Sequence, residues 1–264
     1  MIIRIIPLNL TFLVTAYFSV ATSFAVADSP EDFISSQIDF VKGLPKLRYD
    51  PLTQNIFDTL NKDLLASSDE RLITSVNSHP NQTSVFAFGA MLLHADIGKP
   101  EVWKLLTKRN YENISYPKFF FNFHPSEQIQ FGISYSKNGN GNAELINFYS
   151  TQTFFVDSEK KLSMIVSESV GKLNWSNKLE LKTWGVGITA SYKLKQFEGY
   201  LGTGYTQSIA HLDSEKTAIE KSVVDLNKWH SGIRYFDPFK NVMSFEVGSY
   251  EQRPYWGVSY AILN

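Results

Sequence analysis

The stretch 184-WGVGITASYKLKQFEGYLGTGYTQSI-209 decides the fold. In its first half Trp184, Val186, Ile188, Ala190, Tyr192 and Leu194 alternate with Gly185, Gly187, Thr189, Ser191 and Lys193. A period of two puts successive side chains on opposite faces of a strand, so one face is apolar and the other small or polar. After Lys195-Gln196 the pattern resumes, with Phe197, Leu201, Tyr205 and Ile209 set against Glu198, Gly202, Gly204, Thr206 and Ser208. The stretch therefore reads as a long antiparallel hairpin with a tight turn. Its apolar face fits either a soluble core or a barrel wall with lipid outside, and the rest of the chain has to choose.

Neighbouring segments repeat the pattern. Ile129, Phe131, Ile133 and Tyr135 alternate with Gln130, Gly132, Ser134 and Ser136, and the run 137-KNGNGN-142 then turns the chain. Ile146, Phe148, Phe154 and Val156 mark a further strand, and Leu162, Met164, Val166 and Val170 another. Leu179 and Leu181 begin the strand that leads into the hairpin, with a change of phase between Thr183 and Trp184 that a bulge would accommodate. Beyond Ile209, strands carry Val223, Trp229, Ile233 and Tyr235, then Met243, Phe245 and Val247, then Trp256, Val258, Tyr260 and Ile262. The expectation is an antiparallel up-and-down transmembrane β-barrel of about eight strands over residues 117–264. An even count makes the connections alternate between two ends. Asp157 to Lys160, Lys195-Gln196 and Asp237 to Lys240 fall at one end, and the longest loop, His211 to Lys221, at the other. Short turns at the periplasmic side and long loops outside are the asymmetry of a lipid-embedded barrel, which chooses lipid for the apolar face.

The N-terminal third reads differently. Met1 to Ala27 has Arg4, an apolar run from Ile5 to Val20 and Ala25-Val26-Ala27 before Asp28, the pattern of a secretory signal peptide. Past it no stretch reaches the roughly 18 to 20 apolar residues that a spanning helix needs. Residues 28–116 show helical spacing and are expected to form a small all-α domain on the periplasmic side. Ser29-Pro30-Glu31 starts a first helix, and Asp50-Pro51 starts a second with Leu52, Ile56, Phe57, Leu60 and Leu64 on one stripe. Shorter helices are expected over Asp69 to Asn77, Ser84 to Ala95 and Pro100 to Lys108. The segment from Phe88 to Gly98 followed by Glu101 to Leu106 loosely resembles one tetratricopeptide-type hairpin, with no second copy at a period of roughly 34 residues.

From about Gln128 to Leu263 the chain resembles bacterial outer-membrane β-barrel proteins as a class. Gly257, Tyr260 and Ile262 sit in the closing strand as the glycine, aromatic and apolar positions of the insertion signal of that class, although the chain ends Ile262-Leu263-Asn264 rather than on an aromatic residue. The resemblance implies outer-membrane lipid and the barrel-insertion machinery as partners.

With lipid outside, the inward set is Glu180, Lys182, Glu198, Lys228, His230, Arg234 and Glu246, with carboxylates and cations in equal number. A narrow barrel has room inside for little beyond its own side chains, so this set reads as a salt-bridged interior with a possible role in ligand binding. The histidines His79, His94, His124, His211 and His230 lack metal-ligand spacing, so no metal and no cofactor is assigned, nor any catalytic residue. His124 and Ser126 are the pair that would carry a lipid hydrolase, weighed against a plain turn before a strand. Hydrophobic residues at 43%, a net charge of −1 and no cysteine point to neither nucleic-acid binding nor a disulfide scaffold. The leading expectation is an outer-membrane barrel that anchors a periplasmic helical domain, in envelope scaffolding, assembly or docking to a periplasmic protein. The alternatives are export or passage of a polysaccharide or small solute, and lipid modification.

Overall fold

The computed structural model describes residues 54–69, 85–107, 112–137, 143–176, 178–213, 221–238 and 241–263. The signal peptide, the first helix after it and residues 70–77 of the expected third helix lie outside the described residues. Among the described residues, helix α1 (Gln54–Ser68) comes first. Strand β1 (Phe86–Asp96), helix α2 (Pro100–Thr107) and strand β2 (Asn113–Ser126) follow. The chain continues through β3 (Ile129–Lys137), β4 (Ala143–Val156), β5 (Leu162–Trp175) and β6 (Leu179–Leu194). It ends with β7 (Phe197–Leu212), β8 (Lys221–Phe236), β9 (Asn241–Tyr250) and β10 (Arg253–Leu263). The ten strands close into one antiparallel barrel, each paired with its sequence neighbour and β1 with β10. Closure satisfies every strand edge internally, which a sheet in lipid requires.

The count corrects the expected eight to ten: one added strand lies in the stretch read as helical and the other begins at its end. The segment expected as a helix over Ser84 to Ala95 is strand β1 from Phe86 onward. The expected boundary at residue 117 falls inside β2, and the tetratricopeptide-like hairpin is not formed because its first half is a strand. The cause is that β1 is apolar on both faces. Phe86, Phe88, Ala90 and Leu92 face outward, while Met91, Leu93 and Ala95 point into the lumen and are buried. With both faces apolar the period of two disappears from the sequence.

Elsewhere the wall follows the expected alternation. Exposed large apolar side chains ring the outside on β1 through β9, from Phe88 through Phe148, Val170, Trp184, Leu201, Trp229 and Phe245. A monomer in water does not carry an apolar belt of this extent, whereas lipid favours it. Short turns close β2–β3, β4–β5, β6–β7 and β8–β9 at the end where the chain also terminates. The two longest connections, the one with α2 between β1 and β2 and the one between β7 and β8, lie at the other end, together with the brief β5–β6 and β9–β10 turns.

Helix α1 occupies the lumen. Phe57, Leu60 and Leu64, the stripe expected from spacing, pack on Trp103 of α2 and on the inward wall residues Trp175, Leu173, Leu181 and Ala210. Its other side sets Leu65 and Ala66 against Leu93, Ala95, Val224, Leu226 and Tyr250. An α-helix with its side chains is about 10–12 Å across, which an eight-stranded interior cannot hold, so two further strands make the room. Each buried leucine of this stripe contributes about 1.5–3 kcal/mol through removal from water.

Candidate functional site

The candidate site is the lumen, and its polar groups fall into two sets. The first fastens α1 to the wall. Asp63 accepts hydrogen bonds from Arg253 Nε at 2.5 Å, the Gly98 amide at 3.1 Å and Trp103 Nε1 at 2.8 Å. One turn and a half further on, Asp69 accepts from Lys228 Nζ at 2.7 Å, Tyr250 Oη at 2.7 Å, Thr206 Oγ1 at 2.9 Å and Ser169 Oγ at 3.3 Å. These partners stand on β5, β7, β8 and β9, so one carboxylate at the helix end ties four strands. Lys118 of β2, fully buried, donates to the Ser68 and Asp69 carbonyls at 3.1 Å each. A cation on these carbonyls satisfies the unpaired acceptors at the C-terminal end of a helix and its partial negative charge. Asn147 of β4 donates to the same Ser68 carbonyl at 3.0 Å.

The second set joins wall to wall toward the short-turn end. Arg234 of β8 donates to Glu198 of β7 at 3.2 Å, both fully buried, and its guanidinium lies 4.4 Å from the Tyr200 ring centroid. Tyr200 and Tyr255 donate their hydroxyls to the two oxygens of Glu246, each at 2.9 Å. His230 bonds Thr189 at 2.9 Å across the barrel wall. Glycines make this packing possible. A side chain at Gly232 would overlap the Tyr200 ring, and one at Gly202 would overlap the His230 imidazole.

The residues expected to point inward divide between the two faces of the wall. Glu198, Lys228, His230, Arg234 and Glu246 are buried in the lumen, and Glu198 meets Arg234. Lys228 meets Asp69 rather than a wall carboxylate. Glu180 and Lys182 are corrections. The β5–β6 and β6–β7 pairings run through Thr183 and Trp184 without a register shift, so the expected bulge is absent there. Unbroken alternation puts both residues on the same outward face as Trp184. There Glu180 bridges Lys172 at 2.6 Å and Lys182 at 3.0 Å near the long-loop end. Of the closing-strand signal, Tyr260 and Ile262 are half-buried on the outward face while Gly257 is buried on the other. His124 lies buried in the lumen with its Nε2 at 3.1 Å from Gln130, whereas Ser126 is exposed at the β2–β3 turn. The two do not share a face open to substrate.

Asp63, Asp69, Lys118 and Arg253 were missed. The only available signal was a charge at an inward position of a strand, as for Lys118 among the phenylalanines of β2, or a carboxylate at a buried position of a short amphipathic helix. Among the described residues the buried charges are Asp63, Asp69, Glu198 and Glu246 against Lys118, Lys228, Arg234 and Arg253. Four against four leaves no net charge to select an ion.

No family model and no curated protein matches the chain. Solved structures similar in fold include an outer-membrane channel from Pseudomonas putida F1, at 7% identity over 71% of this chain and 98% of that one, with a TM-score of 0.45. The translocator domain of the autotransporter NalP from Neisseria meningitidis matches at 7% identity over 72% and 90%, with a TM-score of 0.40. A bacterial polysaccharide outer membrane secretin matches at 9% identity with a TM-score of 0.34, over 57% of this chain and 56% of that one, so the chain spans little more than half of its length. By its closed antiparallel wall and apolar outer belt the chain has the fold of an outer-membrane β-barrel.

Proposed function

We propose that the protein is a closed outer-membrane anchor, a scaffold or docking module whose lumen is sealed by its own helix. The observation that carries this is α1 bonded around the lumen by Asp63, Asp69 and the Ser68 carbonyl. Electroneutral ion pairs and tyrosine–carboxylate bonds fill the other half. A scaffold needs neither a water path nor net lumenal charge, whereas a diffusion pore needs the first and an ion channel uses the second.

The direction of α1 also bears on what is anchored. Gln54 donates to the Lys221 carbonyl at the start of β8, and Asp58 accepts from Ser222, so the helix begins at the long-loop end. In outer-membrane barrels that end faces outward. In this reading Gln54, the first residue of α1, stands on the cell-surface side. A second reading, passage of a solute past a movable plug, draws support from the polar character of the α1 fastenings, which can exchange for water.

One pair of measurements tests this. The chain has no cysteine, so Gln54→Cys gives a single reporter. We expect labelling of intact cells by a membrane-impermeant maleimide, and wild-type protein that is silent in planar bilayers. Labelling only after the outer membrane is permeabilised would restore the periplasmic arrangement, and steady wild-type conductance would favour passage.

A further inference from the structure

We propose that Ser115, His94 and Asp96 form a nucleophile, base and carboxylate set on the lipid-facing rim, acting on acyl esters of membrane lipids. His94 Nδ1 lies 2.7 Å from Ser115 Oγ, and Nε2 of the same ring lies 3.5 Å from Asp96 Oδ1. The two ring nitrogens thus have two different partners. With Nδ1 accepting the serine proton, Nε2 carries its own hydrogen toward the carboxylate, which is the division of roles that activates a serine. The ring is held in place from the third side by Trp256, stacked at a centroid distance of 5.0 Å and an interplanar angle of 16°.

The fold brings these residues together through register. His94 pairs with Ser115 on one side and with Trp256 on the other, while Asp96 follows His94 on the same face of β1. All project outward, near the long-loop end. Immediately below them the same face is apolar, through Leu92, Phe88 and the exposed Phe119 and Phe121. Trp256 at this height suits the boundary between head groups and acyl chains, where the ester carbonyls of glycerolipids and acylated saccharide lipids lie. His94 is about a quarter exposed and Asp96 half exposed, so water also reaches the set.

The chemistry follows from the geometry. Ser115 Oγ forms a bond to the ester carbonyl carbon as its proton passes to His94 Nδ1. The carbon–oxygen bond to the glycerol or sugar alcohol then breaks, and the departing oxygen takes that proton. A water molecule repeats the sequence on the acyl-serine, giving the free fatty acid and restoring Ser115. Ser115 and His94 are the catalytic residues, and Asp96 is a positioning residue acting through the ring.

The test uses full-length protein folded in mixed micelles of detergent and phosphatidylethanolamine. Fatty-acid release is expected, together with a fluorophosphonate adduct on Ser115 identified by mass spectrometry. Ser115→Ala abolishes both, and His94→Asn lowers release by about 10²-fold or more, with heat-modifiable mobility unchanged in each. Asp96→Asn lowers kcat with KM unchanged, a split that a purely structural role would not produce. Wild-type protein that is folded by the mobility criterion but neither releases fatty acid nor takes the adduct overturns the proposal. Release that persists in Ser115→Ala overturns it as well. Neither outcome affects the anchor reading, which is decided by conductance and by labelling at position 54.

Discussion

The two halves of the lumen use the same chemistry for different ends. Near the short-turn end, Arg234 and Glu198 belong to adjacent strands, so their pair joins wall to wall. Near the long-loop end, Asp63–Arg253 and Asp69–Lys228 join the wall to a helix that is not part of it. A buried ion pair costs heavily to desolvate and gains about as much in attraction, so its net worth is small, whereas losing one partner strands a buried charge. What that loss disturbs depends on what the pair connects. In one half it is the barrel itself, and in the other the occupancy of the lumen.

The largest effect should therefore come from Arg234→Met. It leaves the fully buried Glu198 carboxylate without its cation and removes the guanidinium from the Tyr200 ring. A loss of about 3–5 kcal/mol is expected. It is read as a lower temperature for the shift between folded and unfolded gel mobility. Adding Glu198→Leu should recover most of it, because an apolar pair of similar volume needs no desolvation. A double variant as unstable as the single one would mean that Arg234 acts through packing and not through charge.

Asp69→Asn should disturb the wall less and the lumen more. Asparagine keeps the size but removes the charge that Lys228 faces, and it weakens the acceptor for Tyr250 and Thr206. Charge-assisted hydrogen bonds of this kind contribute about 1.5–3 kcal/mol each, and they hold the end of α1 that reaches deepest. The expected outcome is intermittent conductance in bilayers that hold silent wild-type protein, with the gel-mobility temperature lowered by less than for Arg234→Met. If Asp69→Asn stays silent while its mobility temperature falls as far as that of Arg234→Met, the distinction between the two halves fails.

The same division decides how much was legible in the sequence. Strands β3 to β10 line the lumen largely with small or polar residues, so lipid on one side and polar groups on the other wrote a period of two into them. Glu198, Lys228, His230, Arg234 and Glu246 could be placed inward from that period alone. The wall of β1 faces α1, an apolar partner for Leu93 and Ala95, so its two faces look alike and it reads as a helix. The helix itself was legible from Ile56, Phe57, Leu60 and Leu64, but nothing local says that its stripe meets the inside of a barrel. Asp69 illustrates the rest. The partners of its carboxylate lie 100 to 181 residues away, and no spacing rule connects them. Glu180 and Lys182 were misplaced for the opposite reason: Leu179 and Leu181 pack on the α1 side of the wall, an apolar inward patch that imitates a change of phase.

The smallest expected effect lies outside the lumen and serves as the control for both halves. The β6–β7 connection is Lys195-Gln196, and Lys195 adopts a φ of 56°, in the left-handed region where a Cβ is crowded. Glycine bears no such cost there and is a favoured residue in tight hairpin turns. Lys195→Gly should therefore raise stability by up to about 1 kcal/mol, the gain from relieved strain being partly offset by the greater freedom of glycine in the unfolded chain. The turn stands at the short-turn end, away from the α1 fastenings, so the mobility temperature should rise slightly with conductance still absent. A change in conductance from this substitution would mean that the wall and the plug are not independent, and would remove the contrast between the two halves on which the larger predictions rest.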